Sequence, residues 1–432
     1  MTNKLKILII TYYWPPAGGS GVQRWMYFSK YLKKMGNSPI VITVKSNYAS
    51  YNLRDNSLLK EIEDIETYKT KSFDFLKLYS FIKSGNFTSN IPQSFIPYDS
   101  IFDKITSFLR LNLFIPDSRI GWNKYAYRKA EEIIKNQKID CIITTGPPHS
   151  SHLIGLKIKK KYKLKWVVDL RDPWTEIFYL KNRFRFNFSK KINSKLESNV
   201  LEGSDAIITT VGERFHKILS DKISNKNKIF KIYNGYDKSV FDRIQPAKID
   251  GFNIVFTGVL SKNHNYDIFN DALELINPKK NNYKIRLILA GSIDKEVKDL
   301  FCKNIHINSK GYVSHEEAIG LIKSSNILVN FTYKNTEETD MLSGKLIEYL
   351  ATGSPIINFS EHAEESKLIL SLSKKSFNAD YSSVNRVAEF IIKEYESWMN
   401  GNYKKQNLNN LEFLTREKLT KNLIDIINKI KS

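Results

Sequence analysis

The chain has 432 residues, 67 Lys and Arg against 45 Asp and Glu for a formal charge of +22, 41% hydrophobic and 12% aromatic residues. That length suits two or three domains and the apolar content is ample for their cores, which excludes a disordered chain. Cys141 and Cys302 are too few for a disulfide framework or a thiolate metal site, and no apolar run approaches the ~20 residues of a membrane-spanning helix. The expectation is a cytoplasmic protein with reduced thiols, whose contact with the inner face of a membrane, if it has one, is peripheral.

In chain order, short apolar runs rich in Ile and Val alternate with helical patterns, the mark of buried parallel strands. The first half predicts strands at 5–11, 39–44, 140–145, 166–170, 206–210 and 229–233. Tyr12-Tyr13-Trp14-Pro15-Pro16 follows the first run at once, so that run is too short for a signal peptide. Residues 68–125 interrupt the alternation with Phe, Tyr, Leu and Ile among lysines, either an insertion packed on the first domain or an amphipathic surface for a lipid interface. Asn234-Gly235-Tyr236-Asp237 closes the first set, and 238–251, with Pro246 and Gly251, reads as a junction. The second half predicts strands at 253–257, 285–290, 305–308, 327–331 and 355–359, then a terminal helix at 408–431 that can pack back on the first domain. The fold class is α/β: two Rossmann-like doubly wound parallel-sheet domains, 1–238 and 239–432, facing across an interdomain cleft, with a C-terminal helix.

Charge is uneven. Residues 1–240 hold 41 basic and 21 acidic side chains, a net of +20, whereas 241–432 hold 26 and 24, a net of +2. An anionic partner for the first half follows, an acceptor molecule or an anionic membrane surface. Nucleic acid is disfavoured, because no helix-turn-helix, zinc-finger or aromatic RNA-binding signature is present and Arg supplies only 13 of the 67 cations.

Two loops carry chemistry. After the first strand stand Gly18-Gly19-Ser20-Gly21 and Arg24, where glycines let backbone N–H groups approach an anion; a tight structural turn is the equal alternative. A dinucleotide fingerprint fails, since Arg24 replaces its third glycine and no acid follows at Val44-Lys45, so nicotinamide and flavin are disfavoured and no cofactor is expected. In the second half Ser343-Gly344-Lys345 opens a helix that carries Glu348 one turn on. Backbone donors, the helix dipole and the Lys345 ammonium suit a diphosphate, and the Glu348 carboxylate can accept both ribose hydroxyls; an ordinary helix glutamate is the plainer reading. The pair of loops suits a nucleoside diphosphate carrying a group to be transferred.

Tyr12–Pro16 with its glycine loop, Asp169-Leu170-Arg171-Asp172-Pro173-Trp174, Asn234-Gly235-Tyr236-Asp237, Gly311-Tyr312-Val313-Ser314 and Ser343 to Pro355 together resemble family 4 retaining glycosyltransferases of the GT-B fold, as in bacterial surface-polysaccharide synthesis. The resemblance implies that the acceptor binds the N-terminal domain and the nucleotide sugar the C-terminal one, with Gly18–Gly21 beside the donor diphosphate. It implies that Tyr312 and Val313 hold the base, UDP being favoured, that Glu348 holds the ribose, and that Asp340 stands where the family places a glutamate facing the sugar. Ser314 with Glu317 also reads as a capping box. Where the family has Arg and Lys after Gly258, this chain has Val259 and a position near His264, so Lys262, Arg24, Arg171 or Lys345 must supply the cations. Arg171 and Asp172 occupy a strand end where many members place a His contacting the sugar, and His149, after Gly146-Pro147-Pro148, sits at another.

The implied reaction moves a hexose from a nucleoside diphosphate to a saccharide or lipid-linked saccharide acceptor with retention, without metal or cofactor. A nucleotide-sugar epimerase of the same architecture is the alternative among enzymes, and a basic nucleic-acid-binding protein the alternative outside them.

Overall fold

The computed structural model describes residues 4–49, 54–73, 101–177, 180, 183–334, 342–360 and 364–431. It divides into two compact units, Met1–Tyr233 with Leu419–Ser432, and Asn234–Lys418. The division falls five residues before the 238/239 junction read from the sequence. The reason is backbone pairing, since Tyr236 N–H donates to Leu414 O at 3.1 Å and Arg416 N–H to Tyr236 O at 2.9 Å, tying 236 to the second unit.

In the first unit β1 (Lys6–Ile10), β2 (Ser38–Val44), β3 (Glu66–Thr70), β4 (Cys141–Gly146), β5 (Lys165–Leu170), β6 (Ala206–Thr209) and β7 (Ile229–Lys231) form a parallel sheet in the order β3-β2-β1-β4-β5-β6-β7. Helices α1 (Ser20–Lys34), α2 (Ile101–Leu113), α3 (Asn123–Asn136), α4 (Ser150–Tyr162), α5 (Asn187–Gly203) and α6 (Glu213–Ser220) connect them. Strand order reverses between β1 and β4, so the loops after these two strands splay apart at the carboxyl edge, where open α/β sheets bind ligands. β3 escaped the sequence reading because Glu-Thr-Tyr-Lys-Thr is an edge strand with one buried residue and no apolar run. Of the stretch 68–125, residues 68–70 end β3 and 123–125 begin α3, while 74–100 lie outside the described residues.

The second unit has β8 (Phe252–Leu260), β9 (Ile285–Ile293), β10 (His306–Gly311), β11 (Ile327–Phe331), β12 (Ile356–Phe359) and β13 (Phe377–Ala379), parallel, in the order β10-β9-β8-β11-β12-β13. Its helices are α7 (Lys238–Arg243), α8 (Asp267–Ile276), α9 (Lys295–Cys302), α10 (His315–Lys323), α11 (Gly344–Leu350), α12 (Glu364–Leu370) and α13 (Val384–Met399). Under α8 the core is aromatic, with Phe331–Phe359, Phe269–Phe301 and Phe256–Phe331 centroids at 5.1, 5.3 and 5.3 Å. One polar row crosses it: Asn330 Nδ2 donates to Asn358 Oδ1 at 2.6 Å, and Asn358 Nδ2 to Asn378 Oδ1 at 2.7 Å. Buried amides bonded in series pin the register of β11, β12 and β13, because a slip would leave them unpaired. The last helix, α14 (Arg416–Lys431), begins eight residues later than the expected 408, with Thr415 Oγ1 accepting from Lys418 N at its start.

One ion pair holds the first unit's centre. Arg24, in α1, is 1% exposed; its Nε and Nη2 each reach Asp169 Oδ1 at 3.0 Å, and Nη1 donates to the carbonyls of Ile232 and Tyr233 at 2.9 and 3.0 Å. Asp169 also accepts from Trp25 Nε1 at 2.6 Å and Thr145 Oγ1 at 2.7 Å, so α1, β4 and β5 meet at one carboxylate. Arg24→Met would strand that buried charge, which costs about 3–5 kcal/mol. Urea unfolding followed by tryptophan fluorescence should show the first unit's transition at lower urea; an unmoved midpoint would contradict the pairing.

Candidate functional site

In the second unit β8 and β9 outrun their apolar runs by three residues each, and the reason is a glycine pair. Gly258 and Gly291 face each other across the two strands with φ of +128° and +123°, values that strain any L side chain. A Cβ on Gly291 would lie 1.9 Å from Gly258 O, and one on Gly258 would lie 2.6 Å from Lys345 Nζ. The Lys345 ammonium thus occupies the space that a side chain at 258 would take, with Nζ 4.5 Å from the centroid of the Phe256 ring. Desolvation pushes this ammonium down to about 8, and no carboxylate among the described residues pairs with it to hold it up. Tyr349, one turn along α11, fixes the helix to β8 by accepting from Thr257 N–H at 3.0 Å.

Glu348 lies on the same helix, half-buried. His315 Nε2 is 3.1 Å from its Oε1 and Arg416 Nη2 is 3.9 Å away. Burial alone would raise its carboxyl, but His315 and then Arg416 outweigh burial and the nearby Asp237, so it stays below the usual range and ionised. With one oxygen engaged, the carboxylate keeps acceptor capacity for two hydroxyls. Sequence reasoning missed both partners. His315 follows the capping Ser314, whose Oγ accepts from Glu317 N–H at 3.3 Å, so the segment read only as a helix start. Arg416 is brought in from the far end of the unit by the backbone pairing at Tyr236, which no local pattern signals.

The other expected donor residues scatter. Lys262 is exposed, its backbone N–H bonded to Asp294 Oδ2 at 3.1 Å. His264 is buried, takes Ser261 N–H on Nδ1 at 3.0 Å and stacks at 3.9 Å on Tyr333. Burial and then Lys345 lower it to about 4, so it is neutral and no phosphate cation. Tyr312 is 48% exposed and Val313 half-buried at the end of β10. Ser343 caps α11 by backbone position without a side-chain bond, and Gly344 admits Asn234 Nδ2 to 3.3 Å of its would-be Cβ. Asp340 lies outside the described residues.

In the first unit the glycine loop enters α1 through Gly19, at φ +92°. Arg24 corrects the sequence reading: its guanidinium is buried on Asp169 and two carbonyls. Arg171 is also engaged, donating to Gly21 O at 2.6 Å, to Gly146 O at 3.2 Å and to Pro147 O, so it clamps the loops after β1 and β4 together. Asp172, beside it, has its carboxyl raised by burial, opposed by Arg171 and aided by Asp169. His149 is 8% exposed and stacked at 4.9 Å on Trp174. Its Nδ1 has no partner, and His152, wholly buried, likewise leaves Nε2 without one. Trp166 Nε1 donates to Thr144 Oγ1 at 2.9 Å, and the same hydroxyl lies 2.9 Å from His152 Nδ1. Both unpartnered nitrogens converge over Gly146, 2.5 and 2.8 Å from its would-be Cβ. Burial lowers His149 well below its usual value and His152 to about 3, so both stay neutral.

At the carboxyl ends of β2 and β3 the first unit also has an open recess of about 260 Å³. Lys45, Lys69, Lys71, Arg128 and Lys129 line it, with Glu132 the one acid. Lys129 pairs with Glu132 at 2.6 Å, leaving an excess of four cations. No helix among the described residues is long and apolar enough to cross a membrane.

Residues 251–374 match the family model for Glycosyl transferases group 1. No protein of curated function matches the sequence. Among solved structures, a glycosyltransferase from Rickettsia africae shares 16% identity at a TM-score of 0.59, covering 99% of both chains. HepE of Anabaena, in complex with UDP and glucose, shares 13% at 0.62, covering 98% of this chain and 100% of its own. The catalytic domain of starch synthase IV from Arabidopsis thaliana, bound to ADP and acarbose, shares 11% at 0.60, covering 99% and 100%. At these identities the likeness is one of fold. The chain therefore has the two-domain GT-B fold, and Gly258, Lys345 and Glu348 lie in the segment that matches the glycosyl transferases group 1 model.

Proposed function

We propose that this protein transfers a hexose, with retention, from a nucleoside-diphosphate sugar to a saccharide or polyprenyl-linked acceptor in surface-polysaccharide synthesis, without a metal ion. The observation that carries the reading is Lys345: an ammonium desolvated beside Gly258 with no carboxylate among the described residues to neutralise it. A donor diphosphate supplies the missing charge, and as the bond to the sugar breaks, the charge growing on the bridging oxygen is met by a cation already in place. Glu348, kept ionised by His315 and Arg416, accepts the ribose hydroxyls. UDP is the favoured base, supported by the UDP in the HepE structure; the ADP in starch synthase IV marks the nearest competitor.

For the acceptor, the basic recess at β2 and β3 supports an anionic group such as a phosphate or diphosphate link. Asp172 is the first unit's best-placed group to accept a sugar hydroxyl, while Arg171 is a positioning residue that sets the two loops. His149 keeps its place at the end of β4, but its unpartnered nitrogen faces Gly146, so shaping the loop is its part in this reading.

Purified protein offered UDP-, GDP- and ADP-sugars should bind and turn over one class; binding of none would remove the proposal, and epimerisation without an acceptor would replace it. Lys345→Ala and Glu348→Ala should each weaken nucleotide binding roughly tenfold to a hundredfold, the worth of a charged hydrogen bond. Glu348→Ala should in addition lose the preference for a ribo- over a 2′-deoxyribonucleotide. Unchanged affinity in both variants would withdraw the site. Gly258→Ala, which drives a methyl group onto Lys345 Nζ, should weaken nucleotide binding about as much as Lys345→Ala, measured by calorimetry with circular dichroism as the folding control.

A further inference from the structure

The approach to α5 reads Arg183-Phe184-Arg185-Phe186-Asn187-Phe188, with Lys190 and Lys191 close behind. Aromatic residues this dense ordinarily belong to a core. Here Phe184, Phe186 and Phe188 are 66%, 52% and 73% exposed. They are nonetheless anchored. Phe184 and Phe186 stand 5.9 Å apart and pack on Phe108 of α2 at 6.0 and 5.2 Å, and Phe186 N–H donates to Asn112 Oδ1 at 2.7 Å.

α2 extends the same face. Seven of its thirteen residues are apolar, and Ile105, Leu109 and Leu113 form an i, i+4 row beside Phe108, with Ile105 53% and Leu113 69% exposed. Single exposed apolar side chains are ordinary, but five large ones on two adjoining segments form a patch that marks an interaction surface. Cations flank it: Lys104, Lys190 and Lys191 are exposed, and Arg110, Arg183 and Arg185 half-buried.

We propose that this face of the first unit rests on an anionic lipid surface, with the three phenylalanines and the α2 row in the headgroup region and the cations against the lipid charges. A second copy of the chain fits less well, because an isologous contact would set these cations against themselves. The inference rests on the polyprenyl-linked acceptor reading only for its purpose, since it places the enzyme where such an acceptor lies. Binding to lipid is measured without any sugar.

The test is flotation of the full chain with vesicles of phosphatidylcholine containing phosphatidylglycerol, and of phosphatidylcholine alone. Recovery is expected with the first and not the second, weakening as salt rises. Phe184→Ser/Phe186→Ser/Phe188→Ser should lower partitioning at least about tenfold, with UDP affinity and circular dichroism unchanged. In Phe188→Trp, the emission of the new tryptophan should shift to the blue on adding the anionic vesicles. Flotation of the triple variant like the original, or no recovery of the original with either vesicle, overturns the proposal. So does self-association abolished by the triple substitution, which would assign the face to a second copy. Failure of UDP binding with intact flotation would overturn the donor reading and leave this one standing.

Discussion

The second unit is organised around a positive charge that its own described side chains do not neutralise. Two strands carry facing glycines close to their ends, the gap at Gly258 admits the end of Lys345, and desolvation beside Phe256 lowers that ammonium to about 8. Burying an unpaired cation is costly, and a fold retains it where a ligand supplies the counter-charge. The other features of the site serve this arrangement. Tyr349 locks α11 to β8, His264 stays neutral and adds no second cation beside the first, and Glu348 is separately balanced by His315 and Arg416, so it does not turn back to neutralise Lys345.

The first unit solves a different problem. At its centre Arg24 is paired with Asp169, and at the carboxyl edge Arg171 donates to the carbonyls of Gly21, Gly146 and Pro147. Arg171, which looked like a ligand for phosphate in the sequence, holds the segments after β1 and β4 together, and Arg24 braces Asp169 and the carbonyls of Ile232 and Tyr233. Among the described residues, the surfaces of this unit that lie away from its centre include the recess at β2 and β3 and the aromatic face on α2 and the approach to α5.

Parallel strands buried on both faces announce themselves as Ile and Val runs, so β1, β2, β4 to β6, β8, β9, β11 and β12 were legible in the sequence. Of the four edge strands, β7 and β10 were read at 229–233 and 305–308, whereas β3 and β13 were not, because a strand covered on few sides needs no apolar run. Lys345 and Glu348 were legible because the loop and the helix that place them are contiguous. Arg24 misled because a short sequence motif carries no information on burial, and its partner Asp169 lies 145 residues away. His315 and Arg416 reach Glu348 through tertiary pairing alone.

The central claim is that Lys345 is the cation for a donor diphosphate, and proton counting tests it most directly. Its depressed pKa of about 8 leaves the free protein's ammonium mostly neutral at about pH 9, and a bound diphosphate would restore the ordinary value near 10.4. UDP binding at that pH, titrated by calorimetry in two buffers of different ionisation enthalpy, should therefore take up close to one proton, and the uptake should vanish in Lys345→Met. Binding with no proton uptake, or with the same uptake in the variant, would contradict the account.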